Sequence, residues 1–84
     1  MAVSYNKLWK LLIDKESNKT KLRDAIGASS STMAKLTKNQ YVAMPVLEKI
    51  CAKLDCNIDD VMEFTNLDEV RKDLDSKIEK DGEQ

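Results

Sequence analysis

The side chains best suited to chemistry lie between Gly27 and Tyr41, in the segment GASSSTMAKLTKNQY. Small hydroxyl residues open this segment, and lysine and amide residues close it. Hydroxyls and amides donate and accept hydrogen bonds, whereas lysines supply donors and positive charge. These groups can therefore bind an anionic surface with polar edges, but they include no nucleophile beside a base. The alternative is that the serines only cap a helix and the other side chains are a solvated face.

Cysteine and histidine usage argues against catalysis and against a metal centre. The chain has no histidine, so the commonest general base is absent. Its two cysteines, Cys51 and Cys56, supply only half of the ligands of a typical zinc site. Cys51 lies on a helical stripe of apolar residues, which favours buried and reduced thiols, although a redox role of the pair stays open. We therefore predict no enzyme activity, no metal and no cofactor.

Length and charge narrow the remaining classes of function. A chain of 84 residues accommodates one small domain. Residues 1–40 hold eight basic and three acidic side chains, whereas residues 41–84 hold six and twelve, so the net charge of −1 is the sum of +5 and −6. A local basic face matters more for nucleic-acid binding than the total. Without a long apolar run or a signal-peptide pattern, we expect a cytoplasmic protein with no membrane partner.

Three short helices must position the segment. The apolar pattern predicts them over residues 5–15, 19–26 and 30–38. The third helix turns Met33 and Leu36 toward a core, which leaves its serines and lysines outside.

Residues with strong capping preferences mark the ends of these helices. Ser4, Asn18 and Ser29 are the predicted caps of the three starts, because each has a side-chain oxygen that accepts from free backbone amides. Gly27 ends the second helix, since glycine adopts the left-handed conformation without a β-carbon clash. Only Gly27 and Ala28 separate the second helix from the cap of the third. Because this connection is so short, the two helices must cross steeply.

Two more helices complete a predicted domain over residues 1–64. Pro45 suits the first turn of a fourth helix, whose apolar residues continue to Leu54. Asn57 caps a short fifth helix. The residues that it turns inward are Ile58, Val61, Met62 and Phe64. No segment alternates convincingly as a strand, so the predicted fold is all-α.

The tail, residues 65–84, has a different composition. It holds four basic and seven acidic side chains, and Asn66 could cap a sixth helix there. A few apolar residues at helical spacing cannot hold such a helix alone, so the tail docks on the domain, pairs with another copy or frays. These residues are Leu67, Val70, Leu74 and Ile78.

Residues 18–37, with the sequence NKTKLRDAIGASSSTMAKLT, resemble the helix-turn-helix of phage Cro and CI repressors and their Xre-like bacterial relatives. The resemblance extends over most of residues 5–64, which is the five-helix extent of a lambda-repressor-like domain. It is greatest to the small single-domain members of that family. In the family the third helix enters the major groove of DNA, and its first exposed residues touch base edges.

This resemblance implies roles for three groups of residues. The start of the second helix and the loop after the third touch phosphates, while the third helix reads bases. Free amides at helix starts favour phosphate, and lysines add the counterion-release contribution, so the physical interpretation agrees. The DNA-binding residues so implied are Lys19, Thr20, Ser29, Ser30, Ser31, Lys35, Lys38, Asn39, Gln40 and Tyr41.

The function that follows as an expectation is a sequence-specific regulator of transcription, a repressor or accessory regulator, whose partner is double-stranded DNA. One small domain makes few contacts, so we expect a homodimer. No small-molecule ligand is expected. The alternative is a protein-interaction module of the antirepressor or antitoxin kind on the same fold. The predicted dimer contacts are Met62, Phe64, Leu67, Val70, Leu74 and Ile78.

Overall fold

The computed structural model describes residues 2–80, and the side chains of residues 2–76. Its mostly helical architecture confirms the predicted all-α class, to which it adds one small antiparallel sheet. The described chain forms β1 (Val3–Ser4), α1 (Asn6–Asp14), α2 (Lys19–Ile26), α3 (Ser30–Thr37), α4 (Met44–Leu54), a 3₁₀ turn (Ile58–Asp60), β2 (Glu63–Phe64) and α5 (Leu67–Lys80).

Local signals fix the joint between α2 and α3. The side chain of Asn18 accepts a hydrogen bond from the backbone N–H of Lys21 at 2.8 Å. Gly27 has a φ of +65°, in the left-handed region where a β-carbon is strained. Ser29 Oγ accepts from the backbone N–H of Thr32 at 3.1 Å. The predicted caps and the predicted glycine stop of this joint are confirmed.

The predicted cap of α1 is wrong. α1 begins at Asn6, and Tyr5 rather than Ser4 occupies the cap position, without a side-chain cap bond. Ser4 instead belongs to β1, where its Oγ accepts from the backbone N–H of Asn6 at 3.3 Å. The serine thus supports the entry to α1 from the strand.

The predicted fifth helix is replaced by a 3₁₀ turn and a strand. Asn57 and Asp60 cap the turn reciprocally, and the Asn57 N–H donates to Asp60 Oδ2 at 3.0 Å. The chain then extends, and Phe64 pairs with Val3 across the two strands. Ile58 and Phe64 are 42% and 58% exposed, so their predicted inward positions are also wrong, whereas Val61 is buried and Met62 half-buried. The buried Val3 supplies the backbone partner, and this tertiary pairing overrides a short local helical pattern.

One buried cluster joins the elements of residues 2–64, which are called the body below. Leu8, Leu36, Ile50 and Val61 are fully buried, and each such side chain contributes roughly 1.5–3 kcal/mol relative to exposure. They come from α1, α3, α4 and the segment after the turn, so these elements share one core. The cluster comprises Val3, Tyr5, Leu8, Leu12, Leu22, Ile26, Met33, Leu36, Leu47, Ile50, Leu54 and Val61.

α5 is placed differently from the other helices. None of its described side chains is buried. A helix of 14 residues is about 21 Å long, and the described protein measures 51 Å along its longest axis against 23 and 20 Å. α5 therefore projects from the body. Neither α5 nor any other described helix is long and apolar enough to cross a membrane.

Candidate nucleic-acid interface

α3 has one face held by the core and one face free. Met33 and Leu36 are buried, and Leu36 has no exposed surface at all. Ser30, Ser31 and Lys35 are exposed on the other side of the helix. These three residues are called the α3 face below. The core fixes the position of the helix, so the α3 face presents its hydrogen-bonding groups from a rigid support.

The start of α3 uses Ser29 as a structural residue. Its Oγ accepts from the Thr32 N–H and donates to Thr32 Oγ1, both at 3.1 Å. This hydroxyl is therefore already committed within the protein. The remaining backbone N–H groups of the first turn point out of the helix start, where they favour an anion.

The loop after α3 is tied to the start of α1. Asn39 has a φ of +56°, and its Oδ1 accepts from the backbone N–H of Tyr5 at 2.9 Å. The Tyr5 hydroxyl donates to the carbonyl oxygen of Gln40 at 2.8 Å. Burial raises the pKa of Tyr5, so its hydroxyl keeps the proton that it donates. These bonds hold the loop in one conformation and leave the neighbouring Lys38 exposed.

Tyr41 lies beside acidic side chains of α5. It is exposed and lines a cleft together with Ala2 and the first turns of α5. Glu69 and Asp73 line the same cleft. Their carboxylates disfavour a phosphate at this point, so Tyr41 is the predicted contact that the geometry supports least.

The start of α2 brings a lysine against two other helices. The Nζ of Lys19 lies 4.3 Å from the centroid of the Trp9 ring in α1. The same nitrogen donates to Thr37 Oγ1, at the end of α3, at 3.3 Å. Thr20 is exposed beside it. The predicted phosphate contact Lys19 is thus held in place by groups from two other helices.

Three residues around this interface were not identified as functional from the sequence. Tyr5 supports the loop after α3, while Trp9 and Thr37 hold the ammonium of Lys19. In the sequence, both Tyr5 and Trp9 are simply residues of the first predicted helix. Since each contact joins residues far apart in the chain, no local pattern could have revealed it.

The lysines of the interface keep their charge available. Two ion pairs form among the described side chains, and both join an arginine to an aspartate. Lys19, Lys35 and Lys38 take part in neither pair. Their positive charges are therefore free to attract an anionic polymer.

A second surface is apolar and belongs to the tail. Phe64 is exposed at the end of β2, and Leu67, Val70 and Leu74 are 40–53% exposed on α5. We call these four residues the apolar stripe. Of the other predicted dimer contacts, Met62 is half-buried against the core, and the side chain of Ile78 lies outside the described residues.

The cysteines are half-buried free thiols near the end of α4. Burial raises the pKa of Cys56, and the adjacent Cys51 raises it further through charge and hydrogen bonding. A raised pKa keeps the thiol protonated and lowers its reactivity. Among the residues that the structure describes, no group of three or more His, Cys, Asp or Glu is placed to hold a metal ion.

Two helices that cross at a left-handed glycine, the second with a polar and basic free face, define a helix-turn-helix domain. Residues 7–66 match the family of Cro/C1-type HTH DNA-binding domains. The protein therefore belongs to the Cro/C1-type helix-turn-helix family, and the resemblance noted in the sequence is confirmed.

A solved structure supports the same assignment. The chain is similar to a crystal structure of the transcriptional regulator VanUg (Form II), with 54% sequence identity and a TM-score of 0.74. The similarity covers 75% of this chain and 84% of that chain. A search of curated proteins gives no significant match.

Proposed function

We propose that this protein is a transcriptional regulator, a repressor or accessory regulator, that binds specific DNA sequences by placing α3 in the major groove. The observation that carries the proposal is the division of α3 into a core-held face and a free polar face. The family supports DNA as the partner, and the similarity to VanUg supports the regulation of transcription. The proposed activity involves no catalytic step, and a cytoplasmic location stays a prediction that follows from the partner.

The α3 face is the proposed reader of bases. Lys35 can donate to the acceptors of guanine in the major groove. Ser30 and Ser31 can donate or accept, so they discriminate less between bases. Because their side chains are short, the start of α3 can approach the base edges closely.

Phosphate contacts are proposed at the start of α2 and in the loop after α3. Lys19 and Thr20 supply the first contact, and Lys38 with the loop supplies the second. The bond from Lys19 to Thr37 brings the first contact close to the end of α3. The Oδ1 of Asn39 already accepts a hydrogen bond from the backbone N–H of Tyr5. The side-chain NH₂ group of Asn39 can donate to a phosphate. Each lysine that neutralises a phosphate releases counterions, which makes the affinity fall with salt.

A homodimer is the proposed binding unit. Two copies on half-sites one helical turn apart would supply the contacts that one small domain lacks. The apolar stripe is the proposed contact, because the same patch on two copies is self-complementary about a two-fold axis. A protein that sediments as a monomer at about 100 µM would contradict this part of the proposal.

The experiment that tests the function is selection of bound sequences from random duplex DNA at about 150 mM salt. The interface variant carries Lys35→Glu with Lys38→Glu. Its control carries Lys49→Glu with Lys53→Glu, which makes the same charge change at exposed positions of α4. We expect the wild type and the control to enrich a motif with two-fold symmetry, and the interface variant to enrich none. Absence of DNA binding by the wild type would refute the proposal.

The apolar stripe also supports a second candidate, a protein-interaction module of the antirepressor or antitoxin kind. Its exposed leucines and valine lie in the acidic half of the chain, which suits a basic partner with an apolar groove. Salt distinguishes the two candidates, because DNA binding weakens steeply with salt, whereas a contact made mainly by apolar burial weakens much less. The α4 control and the Lys35 and Lys38 variant would then bind this partner equally well.

A further inference from the structure

A feature of the interface that the family assignment does not explain is the environment of the Lys19 ammonium. Three helices meet at this one charge. The centroid of the Trp9 ring, which belongs to α1, lies 4.3 Å from the ammonium nitrogen. The hydroxyl of Thr37, which belongs to α3, accepts a hydrogen bond from the same nitrogen at 3.3 Å. Trp9 itself is partly buried against the core, so the ring is a fixed platform.

Both groups that hold Lys19 are neutral. A carboxylate would hold the ammonium more strongly, but it would also cancel the charge that a phosphate needs. An aromatic face attracts the cation through its quadrupole and leaves the charge intact. The ammonium has three donors, and one of them is directed to Thr37. The other two can donate to a phosphate oxygen.

We propose that Trp9, together with Thr37, is a positioning residue that pre-orients Lys19 for a DNA phosphate. This inference rests on the proposed function. A free lysine loses rotamer entropy when it docks on a phosphate, and a lysine already confined by its neighbours loses less. The hydrogen bond to Thr37 also links Lys19 to the end of α3. It therefore fixes the position of the proposed phosphate contact relative to the helix that is proposed to contact the bases.

A double-mutant cycle on DNA affinity tests this role. The variants are Trp9→Leu, Lys19→Met and the two combined, measured by fluorescence anisotropy on a labelled mixed-sequence duplex over a range of salt. We expect Trp9→Leu alone to weaken binding about two- to fivefold, the size of one cation–π contact. We expect Lys19→Met to reduce the steepness of log affinity against log salt by about one unit, which corresponds to the loss of one phosphate contact. In the Lys19→Met background, Trp9→Leu should have no further effect.

The cycle separates positioning from a general structural role. A structural role of Trp9 would weaken binding equally with and without the Lys19 side chain, and that result would overturn the proposal. An unchanged salt slope in Lys19→Met would overturn it too. If the wild-type protein bound no DNA, the proposed function itself would fail, which is a different result from binding without coupling.

Two milder variants keep the test decisive if Trp9→Leu does not fold. Trp9→Phe retains an aromatic face and should bind nearly as well as the wild type. Thr37→Val removes only the hydroxyl acceptor at an exposed position. It should weaken binding about twofold when Lys19 is present, and should have no effect in the Lys19→Met background. Equal effects of Thr37→Val in both backgrounds would overturn the proposal. The control is Lys53→Met, which removes a charge from α4 and should leave affinity within about twofold.

Discussion

α3 and α5 both present a long free face to solvent, yet they are held in opposite ways. α3 is anchored by two buried side chains, and what it leaves exposed is polar and basic. α5 has no buried side chain in the described part, and what it leaves exposed includes a row of apolar residues. The charges differ as well, since Glu69 and Asp73 lie on α5 while Lys35 lies on α3.

This contrast indicates two kinds of partner. A rigid helix with a polar face and free lysines is suited to a charged surface with hydrogen-bonding edges, as in DNA. An exposed apolar row is suited to another apolar surface, because burial of such area is favourable at about 25 cal/mol per Å². The DNA contact and the protein contact are therefore expected on separate helices. Variants on α3 should spare the protein contact, whereas variants on α5 should affect DNA binding only through loss of the dimer.

The largest expected effect is on the stability of the body. Leu36→Ala should lower the free energy of unfolding by about 2–5 kcal/mol, because it leaves a cavity beneath α3. Leu74→Ala on α5 should change it by less than about 0.5 kcal/mol at concentrations where the protein is monomeric. Urea unfolding measures both values. Similar losses for the two variants would show that α5 docks on the body.

The next effect concerns assembly. Leu74→Glu should dissociate the proposed dimer and weaken DNA binding about tenfold or more, since two linked half-sites reinforce each other. Ser76→Glu adds the same charge at an exposed position of α5 outside the apolar stripe, and should change neither property. Sedimentation and DNA titration measure the pair. A Leu74→Glu protein that still forms dimers would exclude this part of α5 as the contact.

Substitutions of the adjacent residues Ser29 and Ser30 distinguish a role in helix capping from a role in DNA recognition. Ser29→Ala should lower the free energy of unfolding by about 1 kcal/mol, because the first turn of α3 loses its acceptor. Ser30→Ala should leave stability nearly unchanged but should weaken binding to the selected DNA site. Thermal melting and DNA affinity are both needed. The assignment fails if Ser30→Ala destabilises the protein as much as Ser29→Ala does.

The smallest expected effect tests the support of the loop. Tyr5→Phe removes the bond to the Gln40 carbonyl and should cost about 0.5–1.5 kcal/mol at neutral pH. Burial raises the pKa of Tyr5 in the folded protein above the value of about 10 for a free tyrosine. Its stabilisation is therefore complete below pH 10, and is lost as the pH rises from there through the folded pKa.

The pH dependence of unfolding checks this point. Above pH 10, the wild type should lose stability more steeply than Tyr5→Phe does. Identical slopes for the two proteins would mean that Tyr5 does not titrate with folding.

Local physics accounts for what the sequence could predict. Asn18, Gly27 and Ser29 act within three residues of their own positions, so their types alone revealed the turn between α2 and α3. The apolar spacing of Met33 and Leu36 likewise revealed the buried side of α3. The roles of the exposed residues in binding DNA stay predictions.

Long-range contacts account for what the sequence could not predict. Phe64 was expected inward on a helix, but a strand with Val3 as its partner turns it outward. The bond between Tyr5 and Asn39 spans 34 positions, and the contact between Trp9 and Lys19 joins two helices. Such contacts depend on how the elements pack, which short patterns do not encode.

α3, the start of α2 and the loop after α3 are proposed to form the DNA surface, and amide chemical-shift mapping by NMR can locate that surface residue by residue. The ¹⁵N-labelled protein is titrated with the selected duplex and assigned residue by residue. We expect shifts concentrated at the start of α3 and the residues next to it, with the outer face of α4 unaffected. The residues expected to shift are Lys19, Thr20, the start of α3, Lys35 and the Lys38–Gln40 loop. Shifts concentrated on α5, with α3 unaffected, would mean that α3 is not the DNA surface.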